Sequence, residues 1–306
     1  MTSSNSPAGT PPDPTLDPTR DPARDPGPDE APDRPRNSAR GLLIVGGSIV
    51  GLVLLTGIVS FFWTPFDTGY TDLANAKAGP GTAGHLLGTD RLGRDIASSL
   101  MAGARTTLYV GLVAVGIAAL IGTPLGILAA MLPPRWSQFV MRCTDVMLAF
   151  PALLLALMFA AIWGGGITTA MVAIGIASIP SFIRVVRSGA LVVMTSDYVQ
   201  AARVAGRSRW GIAVSHVLRN VAGLVIVQAS VSYAIAILAE AGLSYLGFGA
   251  GLTTPSWGLM LQESQSTLRS DPLITVWPAV AIALAVLGFN LLGDGLRDRF
   301  DPRRQR

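Results

Sequence analysis

Groups capable of bond-making chemistry are few in this chain of 306 residues. It has one cysteine, Cys143, and two histidines, His85 and His216, far apart in sequence. One sulfur builds neither an internal disulfide nor a thiolate metal site. No Ser/His/Asp or Cys/His set is spaced for catalysis, and the phosphate-cradling G-x-x-x-x-G-K-[ST] pattern does not occur. The reading therefore assigns no catalytic, cofactor-binding or metal-ligating residue. What remains is the chemistry of docking, concentrated in Asp197 to Asn220. There Ala201, Ala202 and Ala205, just before Gly206, give a helical surface small enough for another backbone to approach, and Arg203, Arg207 and Arg209 ring it with donors.

The local signals in this stretch are those of two short helices. Asp197 is expected to cap the first, with Gln200 reaching back to close a capping box. Gly206 ends that helix and Ser208 caps the second. The plainer alternative is a helical, positively charged loop with no partner.

The elements that hold this loop are membrane spans. Half of the residues are hydrophobic and 14% are charged, well below the roughly one quarter charged in soluble domains. Six apolar runs lie at about 41–63, 105–131, 143–163, 168–187, 221–243 and 274–293, each near the roughly 20 residues a helix needs to cross hydrocarbon. They lack the alternation of barrel strands, so helices are expected. Pro124, Pro151, Pro180 and Pro278 predict kinks or broken turns in them. With the N-terminus inside, 18 of the 23 basic residues fall in inner segments and 5 in outer ones, which puts both termini and the arginine-rich loop in the cytoplasm. The sequence pI near 9.7 follows from this topology, since no basic domain is left to bind nucleic acid.

The chain divides into a Pro/Asp-rich tail at 1–40, a first span and outer loop at 41–104, a core at 105–293 carrying the loop 197–220, and a basic tail at 294–306. Asp-Pro pairs recur every four residues from Asp13 to Asp25. With almost no large apolar residue to offset the entropy of ordering, residues 1–40 are expected to be disordered. The tail is too long, acidic and Pro-rich for the start of a signal peptide, so the first run is read as a retained anchor.

The spacing Gln200-Ala-Ala-x-x-x-Gly206, with His216-Val217-Leu218 following, resembles the EAA loop of ABC importer membrane subunits. Gln200 stands where that family usually has Glu, and Arg219 where its peptide importers usually have Pro. The outer segment His85-Leu-Leu-Gly88-Thr89-Asp90-Arg91-Leu-Gly93-Arg94-Asp95 is similar to the H-x-L-G-T-D-x-x-G-R-D string of dipeptide and oligopeptide importer permeases of the C type. Cys143-Thr-Asp145 through Phe150-Pro151, Glu240-Ala-Gly242-Leu-Ser244 through Gly247, Pro255-Ser-Trp257-Gly258 and the ending Asn290 to Pro302 agree with it. The resemblance runs from about His85 to Pro302.

It implies an all-α integral membrane protein with six transmembrane helices, in the type I ABC importer permease fold with a cytoplasmic coupling helix. Gln200, Ala201, Ala202, Arg203, Ala205, Gly206, Arg207 and Arg209 would contact an ATPase, while Asp90, Arg91, Arg94 and Trp257 are candidate contacts for an extracytoplasmic substrate-binding protein. The implied partners are a second, B-type permease, two ATPase subunits or domains that bind ATP and Mg²⁺, a di- or oligopeptide substrate, and lipid. The implied location is the cytoplasmic membrane of a prokaryote. Nickel or haem import is the alternative within the class. A proton-coupled secondary transporter is the alternative outside it, although that would need intramembrane relays.

Glu240 is the one carboxylate deep in a predicted span. It either lines the pathway or serves as a structural group bonded to neighbouring donors, the second being preferred. Asp145 is expected to pair with Arg142 one turn back. Asn290 and Asp294 are expected to link helices at the inner rim, and His216 to pack within the loop. The segment from Ser256, with Trp257, Leu261 and Leu268 on one side, is expected to lie on the membrane surface or to receive a binding protein.

Overall fold

The computed structural model describes residues 36–251 and 254–300, with side chains from Arg40 onward. Most of the Pro/Asp-rich tail and the end of the basic tail lie outside these residues. The described structure is helical: α1 (Arg36–Phe62), α2 (Ile96–Met131), α3 (Pro134–Ala149), α4 (Ala152–Trp163), α5 (Ile167–Met194), α6 (Asp197–Val204), α7 (Arg209–Ile212), α8 (Arg219–Tyr245), α9 (Trp257–Ser264) and α10 (Leu273–Phe300). Among the described residues the only β pairing is an isolated bridge between Thr89 and Asp95.

Five helical stretches are long and apolar enough to cross a membrane: Arg40–Phe62, Ile96–Met131, Ile167–Met194, Arg209–Tyr245 and Leu273–Phe300. The third expected span, 143–163, is not one rod. It is divided between α3 and α4, which meet at a bend of 82°. The break has a local cause at Phe150–Pro151. Phe150 is extended (φ −87°, ψ 127°), as the ring of a following proline favours, and Pro151 leaves α4 to start afresh. Pro124, Pro180 and Pro278 lie within continuous helices, so the four prolines are not equivalent.

Two expected boundaries move. The second helix begins at Ile96, well before residue 105, because Asp95 accepts the Ser98 amide and caps it there. The last helix continues through Asp294 to Phe300, so 294–300 is the end of α10 and not a separate tail.

Small residues set how closely the spans approach. A side chain at Gly122 or Gly126 would strike α5 at Phe182, Ile183 and Val186, as in membrane interfaces where backbones come together without large side chains between them. Around this seam Val110, Ala114, Ala118, Ala173, Ile174, Phe182 and Leu243 form one buried cluster of α2, α5 and α8. A second cluster joins α1, α2, α8, α9 and α10 through Val50, Ala104, Ile237, Trp257, Ala285 and Phe289. A third, at the other end of α2 and α5, carries α6 and α7.

Candidate functional site

The helix α6 is a small projecting element fixed by one fully buried side chain. Val199 packs with Val186, Ala190, Ile212, Val217 and Val221, while Ala201, Arg203, Val204, Ala205 and Gly206 are exposed. Ala202 is half-buried against the same cluster, so of the three alanines only Ala201 and Ala205 face outward. Val204, 90% exposed, stands between them at the tip. Tyr198 and Trp210 are exposed on the flanks. Val204 and Trp210 were not singled out from sequence. The signal was available: an apolar residue one turn from Ala201 in a polar loop, and a tryptophan just after the Ser208 cap.

The termini of α6 differ from expectation at one end and match it at the other. Ser196, not Asp197, occupies the N-cap position, and no side chain caps the helix there. Asp197 is the first helical residue and no capping box with Gln200 forms, although a carboxylate in the first turn still complements the helix dipole. At the other end Gly206 adopts φ +77°, the Gly206 amide donates to Arg203 and the Arg207 amide donates back to Ala202 (both 3.0 Å). This closure through a left-handed residue is one glycine makes readily. Ser208 then accepts the Gly211 amide at 3.1 Å and starts α7.

From α7 the chain passes through a π-helical stretch, Ala213–Leu218, directly into α8. Arg209–Tyr245 therefore forms a single stretch of 37 residues. His216 lies in the π-helical part with its ring 5.9 Å from Tyr198, a packing role as expected. The exposed knob meets the near end of this stretch through the turn at 205–208, and Glu240 lies towards its far end.

Glu240 is buried, at 2% exposure. Ser244 donates to it at 2.8 Å, Thr107 of α2 faces it at 3.4 Å, and Ser256 also reaches it. A side chain at Gly258 would strike the Ala241 carbonyl, so α9 lies directly against α8 here. These neutral donors make Glu240 a fastening point for α2, α8 and the segment that begins α9.

The outer segment is stitched to itself. His85 Nδ1 is 2.9 Å from Asp95 Oδ1, with both residues buried. Asp95 also accepts the Ser98 amide and hydroxyl at 2.7 and 2.6 Å. Gly93, at φ +76°, passes so close to the Asp72 carbonyl that a side chain would clash. Arg94 pairs with Asp90 at 2.7 Å and with Glu263. Burial works against the charge on Arg94, but Asp90 and then Glu263 outweigh it and hold the guanidinium above its usual range. Trp257 is buried, its indole donating to the Leu100 carbonyl at 3.0 Å. Of the four outer candidates, Asp90, Arg94 and Trp257 are thus occupied in holding the cap together, and Arg91 is exposed. The segment starting at Ser256 packs on α8 and α2 through Trp257 and Gly258, and Leu268 is exposed.

Two further pairings differ from expectation. Asp145 bonds Arg184 of α5 at 2.7 Å, not Arg142, because α3 lies along α5 and brings the two together. Asn290 and Asp294 are exposed on α10 and link no helices among the described residues.

Five helical stretches long and apolar enough to cross a membrane, with α6 projecting beside them, are the architecture of a multi-span membrane protein. The chain belongs to the family of binding-protein-dependent transport system inner membrane components, whose model matches residues 122–306. It is 41% identical over 258 residues to a glutathione transport system permease protein, GsiD, of Pectobacterium atrosepticum, covering 83% of this chain and 85% of that one. It is 42% identical over 262 residues to the GsiD of Salmonella typhimurium, covering 85% and 86%. The fold is similar to a chain of the inward-facing MetNI methionine ABC transporter (TM-score 0.56, 18% identity), covering 66% of this chain and 96% of that one. The protein is accordingly a multi-pass inner membrane permease component, a type I ABC importer subunit in fold, and its family is one of permeases and not of enzymes.

Proposed function

We propose that this chain is the C-type permease subunit of an ATP-driven importer of di- and oligopeptides, forming half of the translocation pathway with a B-type permease. The relatives are named for glutathione, itself a small peptide, and the outer motif from His85 to Asp95 points to the same substrate class. Two ATPase subunits or domains bind ATP and Mg²⁺ at the cytoplasmic face, and an extracytoplasmic binding protein delivers the peptide. Both termini lie in the cytoplasm, in keeping with the distribution of arginines. Arg91 is the outer residue best placed to meet the binding protein.

The single observation that carries this reading is the exposed face of α6, Ala201, Val204, Ala205 and Gly206, on a knob tied by the short turn at 205–208 to the rod Arg209–Tyr245. An ATPase gripping α6 moves that rod, and the rod moves the outer cap through Glu240. Nucleotide shifts the inward–outward balance only because the ATPase holds the loop differently in the two states.

Gly206→Val tests it. Space around Gly206 is open, so the substitution acts through its left-handed backbone and its bulk at the docking face. The variant is expected to insert normally and to lose substrate-stimulated ATP hydrolysis in the reconstituted complex. Unchanged coupling removes the assignment of this loop.

A further inference from the structure

Beside α6 a cavity of about 520 Å³ opens where α2 and α5 end. Its floor is apolar, including Met131, Met194 and Ile212, and its wall holds Arg203, Arg207 and Arg209. None of these arginines takes part in an ion pair among the described residues. Arg203 reaches only the Met194 sulfur at 3.8 Å, and Arg207 the Ser215 hydroxyl at 3.3 Å. Gln200, also in the wall, is neutral, and no carboxylate lines the cavity. Three arginines border one concavity without an acidic partner there, and each guanidinium keeps donors in a rigid planar fork that suits a carboxylate.

We propose that this cavity receives acidic side chains of the ATPase, so that at this subunit the permease supplies the cations and the ATPase the anions. The inference rests on the docking assignment for α6 and deepens it by naming the chemistry of the partner surface. Arg203 belongs to α6 itself, so the cavity is continuous with the exposed face of Ala201, Val204 and Ala205, and a partner seated on that face also covers the arginines. The apolar floor accepts the methylene stem of a glutamate while its head meets the forks. Lipid phosphate offers a similar charge, but the cavity adjoins the docking face, which favours the protein partner.

The test uses the full permease complex in nanodiscs and the ATPase subunits that co-purify with it. Binding is measured across a salt series for wild type, for Arg203→Gln/Arg207→Gln/Arg209→Gln, and for Gly206→Val. The triple variant is expected to bind the ATPase about tenfold or more weakly and with a flatter salt dependence. Wild-type affinity in the triple variant together with loss in Gly206→Val overturns the acidic pairing and leaves the docking assignment standing. Weaker binding with an unchanged salt slope also overturns it, since shape and not charge would then be lost. Wild-type behaviour in both variants overturns both. If the triple variant instead keeps ATPase affinity but loses retention of anionic phospholipid, the cavity is a headgroup site and the proposal fails.

Discussion

The two ends of this molecule treat their charges in opposite ways. In the outer cap, Asp90, Arg94 and Glu263 share one network, and His85 and Asp95 are paired and buried. In the loop around α6, Arg203, Arg207 and Arg209 are exposed and enter no ion pair among the described residues. The outer charges hold the chain's own segments in register, and the inner ones are left for something else. Arginine-rich sequence alone did not separate these roles. Partnership did.

If that contrast is right, equivalent losses of polar groups are costly outside and nearly silent for folding inside. The largest effect is expected from Asp95→Ala. It removes the cap of α2 and leaves His85 and Ser98 without their acceptor, a combined destabilisation of about 3 kcal/mol. Thermal unfolding in detergent should show the loss. Stability equal to wild type would mean that the outer network is ornamental.

Glu240→Leu comes next. It leaves the Ser244 and Thr107 donors buried and unsatisfied, at roughly 1–3 kcal/mol, whereas Glu240→Gln keeps the shape and an acceptor. Assembly and uptake should fall in the order wild type, Gln, Leu, with the same loss for every substrate. A Gln variant that assembles fully but loses uptake only of peptides with a free amino terminus would make Glu240 a substrate contact, and would move the polar function of this end away from the cap.

Smaller still is the coupling of Arg94 to Glu263. A double-mutant cycle of Arg94→Gln and Glu263→Gln should return about 1 kcal/mol, because the pair is partly buried and Asp90 still holds the guanidinium. At the α6 end, Arg207→Gln should change unfolding by less than about 0.5 kcal/mol. A penalty there as large as the outer one would erase the distinction between the two ends.

What the sequence revealed about these ends follows from how local each signal was. Gly206 as a helix stop and Ser208 as a second cap depend on a few neighbouring residues, and both are found. The six apolar runs appear because bilayer thickness sets their length. What could not be read depends on distant residues meeting. Arg94 finds Glu263 169 positions away, and Asp145 finds Arg184 39 positions away. Trp257 looked like a surface residue of an amphipathic helix until α2 supplied the Leu100 carbonyl for its indole. The division of the third span was half legible: Pro151 announced a disturbance, but a proline alone does not give the size of the bend, 82°.

If α6 is where an ATPase holds the membrane subunit, a cross-link from its exposed face will reach that ATPase. In a Cys143→Ser background, which removes the exposed native thiol, single cysteines are placed at Ala205 on the α6 face and at Arg91 on the outer cap. Both positions are exposed. The prediction is that Ala205→Cys reacts from the cytoplasmic side and cross-links to the ATPase with a yield that changes on addition of ATP, while Arg91→Cys reacts only from outside and never reaches the ATPase. An Ala205→Cys variant that assembles and transports normally, yet is labelled from outside or gives no ATPase adduct in any nucleotide state, would contradict the account.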